Sequence, residues 1–157
     1  MKTSFLMPIL AIASSLPLSA QPAFAEDLVM LKGDVKVVRT VVEEGKERSM
    51  LAAPTDVVPG DKLVFATEYH NTGAKAVENF VVTNPLPAAV RLADTSGGFD
   101  VSVDGGKIYG NLASLTVSDD VGSARPAQYS DVTHIRWTLA RLAPGERGTL
   151  TYTAFVR

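Results

Sequence analysis

Two packed antiparallel β-sheets are what this sequence predicts, on three observations. Beyond residue 26 apolar side chains alternate with polar ones at a period of two, Val and Thr are abundant, and no segment carries a helical stripe. Turn signals built on Pro-Gly, Asn-Thr-Gly and Asp-Gly-Gly recur at short intervals. The segments between them are too many for one open sheet, and two sheets that bury their apolar faces against each other are the economical arrangement.

In chain order, residues 1–25 stand apart. A basic start at Lys2, an apolar stretch from Phe5 to Leu18 broken by Pro8 and Pro17, and Ala23-Phe24-Ala25 ahead of Glu26-Asp27 read as a secretory signal peptide cut after Ala25. A transmembrane anchor is the competing reading, but the run is short and interrupted, and no basic stop-transfer flank follows it. Cleavage leaves residues 26–157 as a single domain and shifts the formal charge from −2 to −3 by removing Lys2.

The predicted strands are Leu28–Leu31, Val35–Val42, Arg48–Leu51, Lys62–His70, Val77–Thr83, Val90–Leu92, Phe99–Val103, Lys107–Tyr109, Leu112–Val117, Val132–Leu139 and Gly148–Val156. Leu63, Phe65, Thr67 and Tyr69 form one face of their strand. Ile135, Trp137 and Leu139 share a parity, as do Leu150, Tyr152, Ala154 and Val156. Val35–Val42 has valines of both parities, so the pattern leaves its register open unless a bulge or burial on both faces is assumed.

Val58-Pro59-Gly60-Asp61 and Ala143-Pro144-Gly145-Glu146 read as type II turns, each launching a strand and together holding one end of the fold. Asn71-Thr72-Gly73, Asp104-Gly105-Gly106 and Glu44-Gly45-Lys46 are expected to close hairpins. Asp119 to Asp131 reads as the longest irregular loop. This count and patterning predict an all-β, immunoglobulin-like antiparallel sandwich, with a closed barrel as the alternative.

Composition then excludes whole classes of function. The chain has 157 residues, 46% of them apolar, with 15 Lys and Arg against 17 Asp and Glu, a balance unsuited to a protein that binds nucleic acid through its phosphates. No run long enough to span a bilayer follows residue 25. With no cysteine, thiolate catalysis, thiolate metal sites, disulfides and a lipoprotein anchor are all excluded.

Candidate chemistry is sparse. His70 and His134 sit at predicted outward positions without metal-ligand spacing, and no serine stands in a nucleophile motif, so no catalytic residue and no cofactor are expected. Asp94, Asp100, Asp104, Asp119, Asp120 and Asp131 cluster in or beside loops; Asp100, Asp104, Asp119 and Asp120 are the calcium candidates, although short acidic side chains also cap turns for backbone reasons. Leu28–Leu31, apolar on both parities, is a candidate for strand addition to a neighbouring subunit.

Two blocks together resemble the bacterial domain of unknown function 11 family, a conserved surface repeat. One runs from Val58-Pro59-Gly60-Asp61 through Asn71-Thr72-Gly73 to Asn84-Pro85-Leu86-Pro87; the other joins Ile135-Arg136-Trp137-Thr138-Leu139 to Leu142-Ala143-Pro144-Gly145-Glu146 and Leu150-Thr151-Tyr152. The resemblance spans about residues 57–157. It implies an exported module of the surface or envelope without catalytic residues. This chain departs from the family in having a single copy, Asn84 in place of Asp, and an insertion at residues 98–131. Pro85 and Pro87 are expected to end a strand where the chain changes sheets, with Trp137 as the plug between sheets.

The expectation is a non-enzymatic structural or protein-interaction module, periplasmic or extracellular, whose partner is a protein or an envelope component. A surface filament built by strand addition and a calcium- or glycan-binding module are the alternatives.

Overall fold

A computed structural model describes residues 28–118 and 122–157. The signal peptide assigned to residues 1–25, and Asp119 and Asp120, lie outside the described residues. The fold is all-β and antiparallel. Its strands are β1 (Val29–Glu43), β2 (Lys46–Ala52), β3 (Lys62–Asn71), β4 (Val77–Pro85), β5 (Val90–Leu92), β6 (Asp100–Ser102), β7 (Thr116–Ser118), β8 (Ala124–Pro126), β9 (His134–Leu142) and β10 (Arg147–Val156).

Five strands make one sheet in the order β2-β1-β3-β10-β5, three make a second in the order β4-β9-β6, and β7 pairs with β8. One core cluster draws on both larger sheets. Val37, Leu63, Val90, Leu92, Tyr152 and Ala154 come from the first, and Val82, Val101, Ile135 and Trp137 from the second. The alternation at Leu150, Tyr152, Ala154 and Val156 holds, since Tyr152 and Ala154 are buried and the other two pack against the cluster.

Aromatic rings bridge the two sheets. Phe65 stacks on Tyr152 at 4.7 Å, Tyr152 meets Trp137 at 6.3 Å, and Phe99 meets the Trp137 edge at 5.3 Å. Such pairs add about 0.5–1.5 kcal/mol each beyond area burial. The Trp137 indole donates to the Gly97 carbonyl at 3.1 Å, satisfying its polar atom. A Cβ at Gly97 would come within 2.4 Å of the Phe99 ring and 2.8 Å of the Thr151 carbonyl, so glycine is required by this approach. Burial pushes the Tyr152 phenol up to about 12.

The Asn71-Thr72-Gly73 hairpin expectation is corrected, because β3 and β4 belong to different sheets and the segment is a crossover between them. Asn71 is fully buried and holds the corner. Its amide donates to the carbonyls of Lys75, Leu142 and Ala143 at 2.9–3.1 Å, and its Oδ1 accepts from Gly73 N at 3.0 Å. Its backbone exchanges hydrogen bonds with Glu146 and Gly145 in the β9–β10 turn. Thr72 N donates to the Leu28 carbonyl at 2.8 Å, which fixes the start of β1.

Both Pro-Gly turns form, with Asp61 N donating to Val58 O and Glu146 N donating to Ala143 O, and with Gly60 and Gly145 at positive φ. They do not share an end of the fold. Gly60 is bonded to Val156, at the far end of β10 from the turn beside Asn71. The Pro85-Leu86-Pro87 segment does carry the chain from the three-stranded sheet to β5 in the other.

Three further expectations change. Leu28–Leu31 and Val35–Val42 merge into β1, whose first half pairs with β3 and whose second half pairs with β2. Lys107–Tyr109 is not a strand. The Ser102 hydroxyl and Asp104 carboxylate take the N–H groups of Gly106, Lys107 and Ile108, offering that backbone an alternative to a ladder. Leu112–Val117 divides into a 3-10 turn at Leu112–Ser114, whose Ala113 N–H is capped by Asn111, and the short β7. Part of the predicted long loop is ordered as β8 and a second 3-10 turn at Tyr129–Asp131.

The connections have their own order. In immunoglobulin constant domains strand E lies beside B and strand F beside C, with E first in the chain. Here β9 lies beside β4, and β10, which follows it, lies beside β3.

Candidate functional site

The least self-contained part of the molecule is β1 with its β2 partner. Val37 is the only residue of β1 in both ladders, opposite Leu63 of β3 and Ala52 of β2. Beyond it, Val38–Glu43 and Lys46–Leu51 form a ribbon that overhangs the end of the β3 ladder. Glu44 and Gly45, both at positive φ, give the two-residue turn whose twist suits a hairpin.

The ribbon exposes large apolar side chains: Val42 is 68% accessible, Leu51 56% and Met50 50%. Leu51 stands opposite Val38, and Met50 opposite Arg39. Val57 and Val58 in the following loop are also exposed. Arg39 ties that loop down, donating to the Asp56 carbonyl at 2.6 Å and pairing with Asp61 at 2.8 Å. The Val58 N–H and the Arg39 guanidinium hold the Asp61 carboxyl below the usual carboxylate range.

On the opposite side of Val37, residues Met30 to Asp34 of β1 are all exposed. They have β3 along one edge, and among the described residues no strand lies along the other. The segment Leu28–Leu31 is thus part of its own sheet, with Val29, Met30 and Leu31 opposite Asn71, His70 and Tyr69.

A second concavity lies in the insertion half, an open cleft of about 580 Å³ lined by Arg91, Asn111, Gln128 and Tyr129. Arg91 rests 4.7 Å from the Phe155 ring centroid. Arg157 braces the wall, donating to the carbonyls of Val90 and Ser130. None of these residues stands out in the sequence, because they come from three short segments far apart in the chain: Arg91 from β5, Asn111 from the cap of the first 3-10 turn, and Gln128 and Tyr129 from the second.

Of the calcium candidates, Asp100 and Asp104 lie among the described residues, and Asp104 is already engaged by local donors. Asp104 Oδ1 accepts from the Ser102 hydroxyl at 2.7 Å and from the N–H groups of Lys107 and Ile108 at 3.0 Å, and these donors hold its carboxyl below the usual range. Asp100 is exposed and stands opposite Arg136 in the β6–β9 ladder. Among the described residues no three His, Asp or Glu side chains gather where a metal ion could be held. Asp94 and Asp131 likewise serve local structure: Asp94 accepts from Ser96 and Thr153, and Asp131 pairs with Arg125 and caps Gln128 N.

His70 and His134 are half-buried and lie in different sheets. His70 lines a shallow groove with Met30, Lys32, Glu68 and Arg147, and the His134 ring meets the Thr133 hydroxyl at 3.1 Å. Among the described residues no helix is long and apolar enough to cross a membrane. No family model, curated protein or solved structure is similar enough to this chain to count as a match.

Proposed function

We propose that this chain is an exported, non-enzymatic module of the bacterial cell envelope or extracellular space, working by contact with a protein or an envelope component. Its two sheets are read as an immunoglobulin-like sandwich, and the chain as a divergent relative of the domain of unknown function 11 family.

The observation that carries the contact role is the overhanging β1–β2 ribbon. A ribbon that adds no residue to the core cluster yet exposes Val42, Met50 and Leu51 has the character of an interaction surface. The carboxylates of Asp61, Asp94, Asp104 and Asp131 are engaged with backbone N–H groups, hydroxyls or guanidinium groups, which is structural work. Filament growth by donation of Leu28–Leu31 would require that segment to leave its place beside β3.

The test is to express the chain with its own leader in a bacterial host, fractionate the cells, determine the mass of the recovered protein and cross-link its neighbours. A mass beginning at Glu26 in the exported fraction is expected, with a cross-linked component lost in a Met50→Ser/Leu51→Thr variant. Retention in the cytoplasm would overturn the reading, as would hydrolysis of peptide, ester or glycan substrates abolished by a single side-chain change. The cleft beside Tyr129 favours glycan binding as the second reading. A rise in melting temperature with a glycan, lost in Tyr129→Ala, would identify it.

A further inference from the structure

The free edge of β1 is a notch with a defined end. The β2 ladder stops at Val37, where Ala52 stands, so residues 29–36 are open on one side over about 26 Å at the usual strand rise. Unpaired N–H and C=O groups along such an edge are a template for another strand. Two features set the identity of that strand.

The first is charge. Antiparallel pairing of this edge with itself about Gly33 puts Lys32 opposite Asp34 of the second copy, Asp34 opposite its Lys32, and Leu31 opposite its Val35. Shifting the two copies by one step in either direction, while keeping inward and outward faces matched, brings Lys32 against Lys32 or Asp34 against Asp34. One register is thus favoured and both neighbours are penalised.

The second is room. Gly33 at the centre has no atom within 4 Å of where a Cβ would stand, and Met30–Asp34 are all exposed. The Ala52 end of β2 limits the pairing to Met30–Lys36, which is the stretch that the Gly33-centred register uses. On the inward face, the half-exposed Leu31 gains Val35 of the second copy, extending the apolar layer that Val35 already joins.

We propose that a second copy of this chain docks antiparallel along Met30–Lys36, forming a two-fold dimer with a continuous sheet centred on Gly33. This gives the contact role proposed above a specific partner, but it turns only on the edge. A monomer that still captures an envelope component would overturn the dimer and leave that role standing, and a dimer retained in the cytoplasm would do the reverse.

Sedimentation velocity on the purified protein from 1 µM to 1 mM is the test, with circular dichroism confirming that each variant is folded. The native chain is expected to shift from monomer to dimer across this range. Asp34→Lys should weaken the dimer at least tenfold by facing Lys32 of the other copy, and the double swap Lys32→Asp/Asp34→Lys should restore it. The chain lacks cysteine, so Gly33→Cys offers a separate readout: mild oxidation should link two copies, since directly opposed strand positions bring the Cα atoms within disulfide reach. A monomer throughout, an unaffected dimer in Asp34→Lys, no recovery in the double swap, or no cross-link at Gly33→Cys would each overturn the proposal.

Discussion

Two strand pairings in this molecule share the same backbone geometry and differ in everything around it. At β3–β10 the ladder runs from Arg147 opposite His70 to Phe155 opposite Lys62, and one face is sealed by Trp137, Val82 and Ile135 of the other sheet. At β1–β2 the ladder from Val38 to Glu43 adds nothing to the core cluster, and Val42, Met50 and Leu51 face solvent. The contrast separates what pairing does from what packing does. Hydrogen bonds between strands exchange for those with water and contribute little net stability, so the core has to come from the layer opposite.

Breaking the packed region should cost most. Trp137→Ala removes the ring that meets Phe99 and, across the sheets, Tyr152, and should lower unfolding free energy by about 3–5 kcal/mol in urea titrations. Asn71→Ala strands the carbonyls of Leu142 and Ala143 at a buried corner, and a loss of about 3 kcal/mol is expected by the same measurement. Gly97→Ala forces a methyl against Phe99 and the Thr151 carbonyl, so a loss of about 1–3 kcal/mol is expected from calorimetry.

Acid should act through the carboxylates that hold loops to the body. Asp94, bonded by Ser96 and Thr153, and Asp131, paired with Arg125, both titrate below the ordinary Asp value of 3.8 when folded. A depressed folded value means the unfolded chain takes up the proton first. Their stabilisation is therefore complete above the unfolded value and is lost as pH falls through the folded one. Melting temperatures between pH 5 and pH 2 should fall, and Asp131→Asn should flatten part of that slope.

The smallest change belongs to the ribbon. Met50→Ser and Leu51→Thr should leave stability within about 0.5 kcal/mol, because neither side chain is buried. A large loss would mean that the ribbon packs on the body, and the contrast between the two regions would fail. An unaltered melting temperature with altered binding would sharpen it.

The reasons for legibility differ along the chain. Alternation at Leu63, Thr67, Tyr152, Ala154, Ile135 and Trp137 placed their inward faces correctly, because a strand's side chains must obey a period of two and one face must be dry. Val58-Pro59-Gly60-Asp61 and Ala143-Pro144-Gly145-Glu146 were legible as turns because proline and glycine set the φ angles locally. Lys107–Tyr109 lies beyond what alternation predicts, because Asp104, four residues or fewer away, accepts the N–H groups of Lys107 and Ile108. The cleft at Arg91 and Tyr129 was not legible, since its walls meet only after the insertion folds against β5.

The sequence by itself determined where most strands and turns lie, and that the core must form without disulfides, because those follow from local φ preferences, side-chain period and composition. The tertiary structure alone decided that Asn71-Thr72-Gly73 crosses between sheets and that the two Pro-Gly turns sit at opposite ends. It also decided that β1 outruns β3, leaving an open edge from residue 29 to 36 and a ribbon beyond Val37. A strand's pattern states which side chains are apolar, but its neighbours depend on contacts tens of residues away, where no local preference reaches.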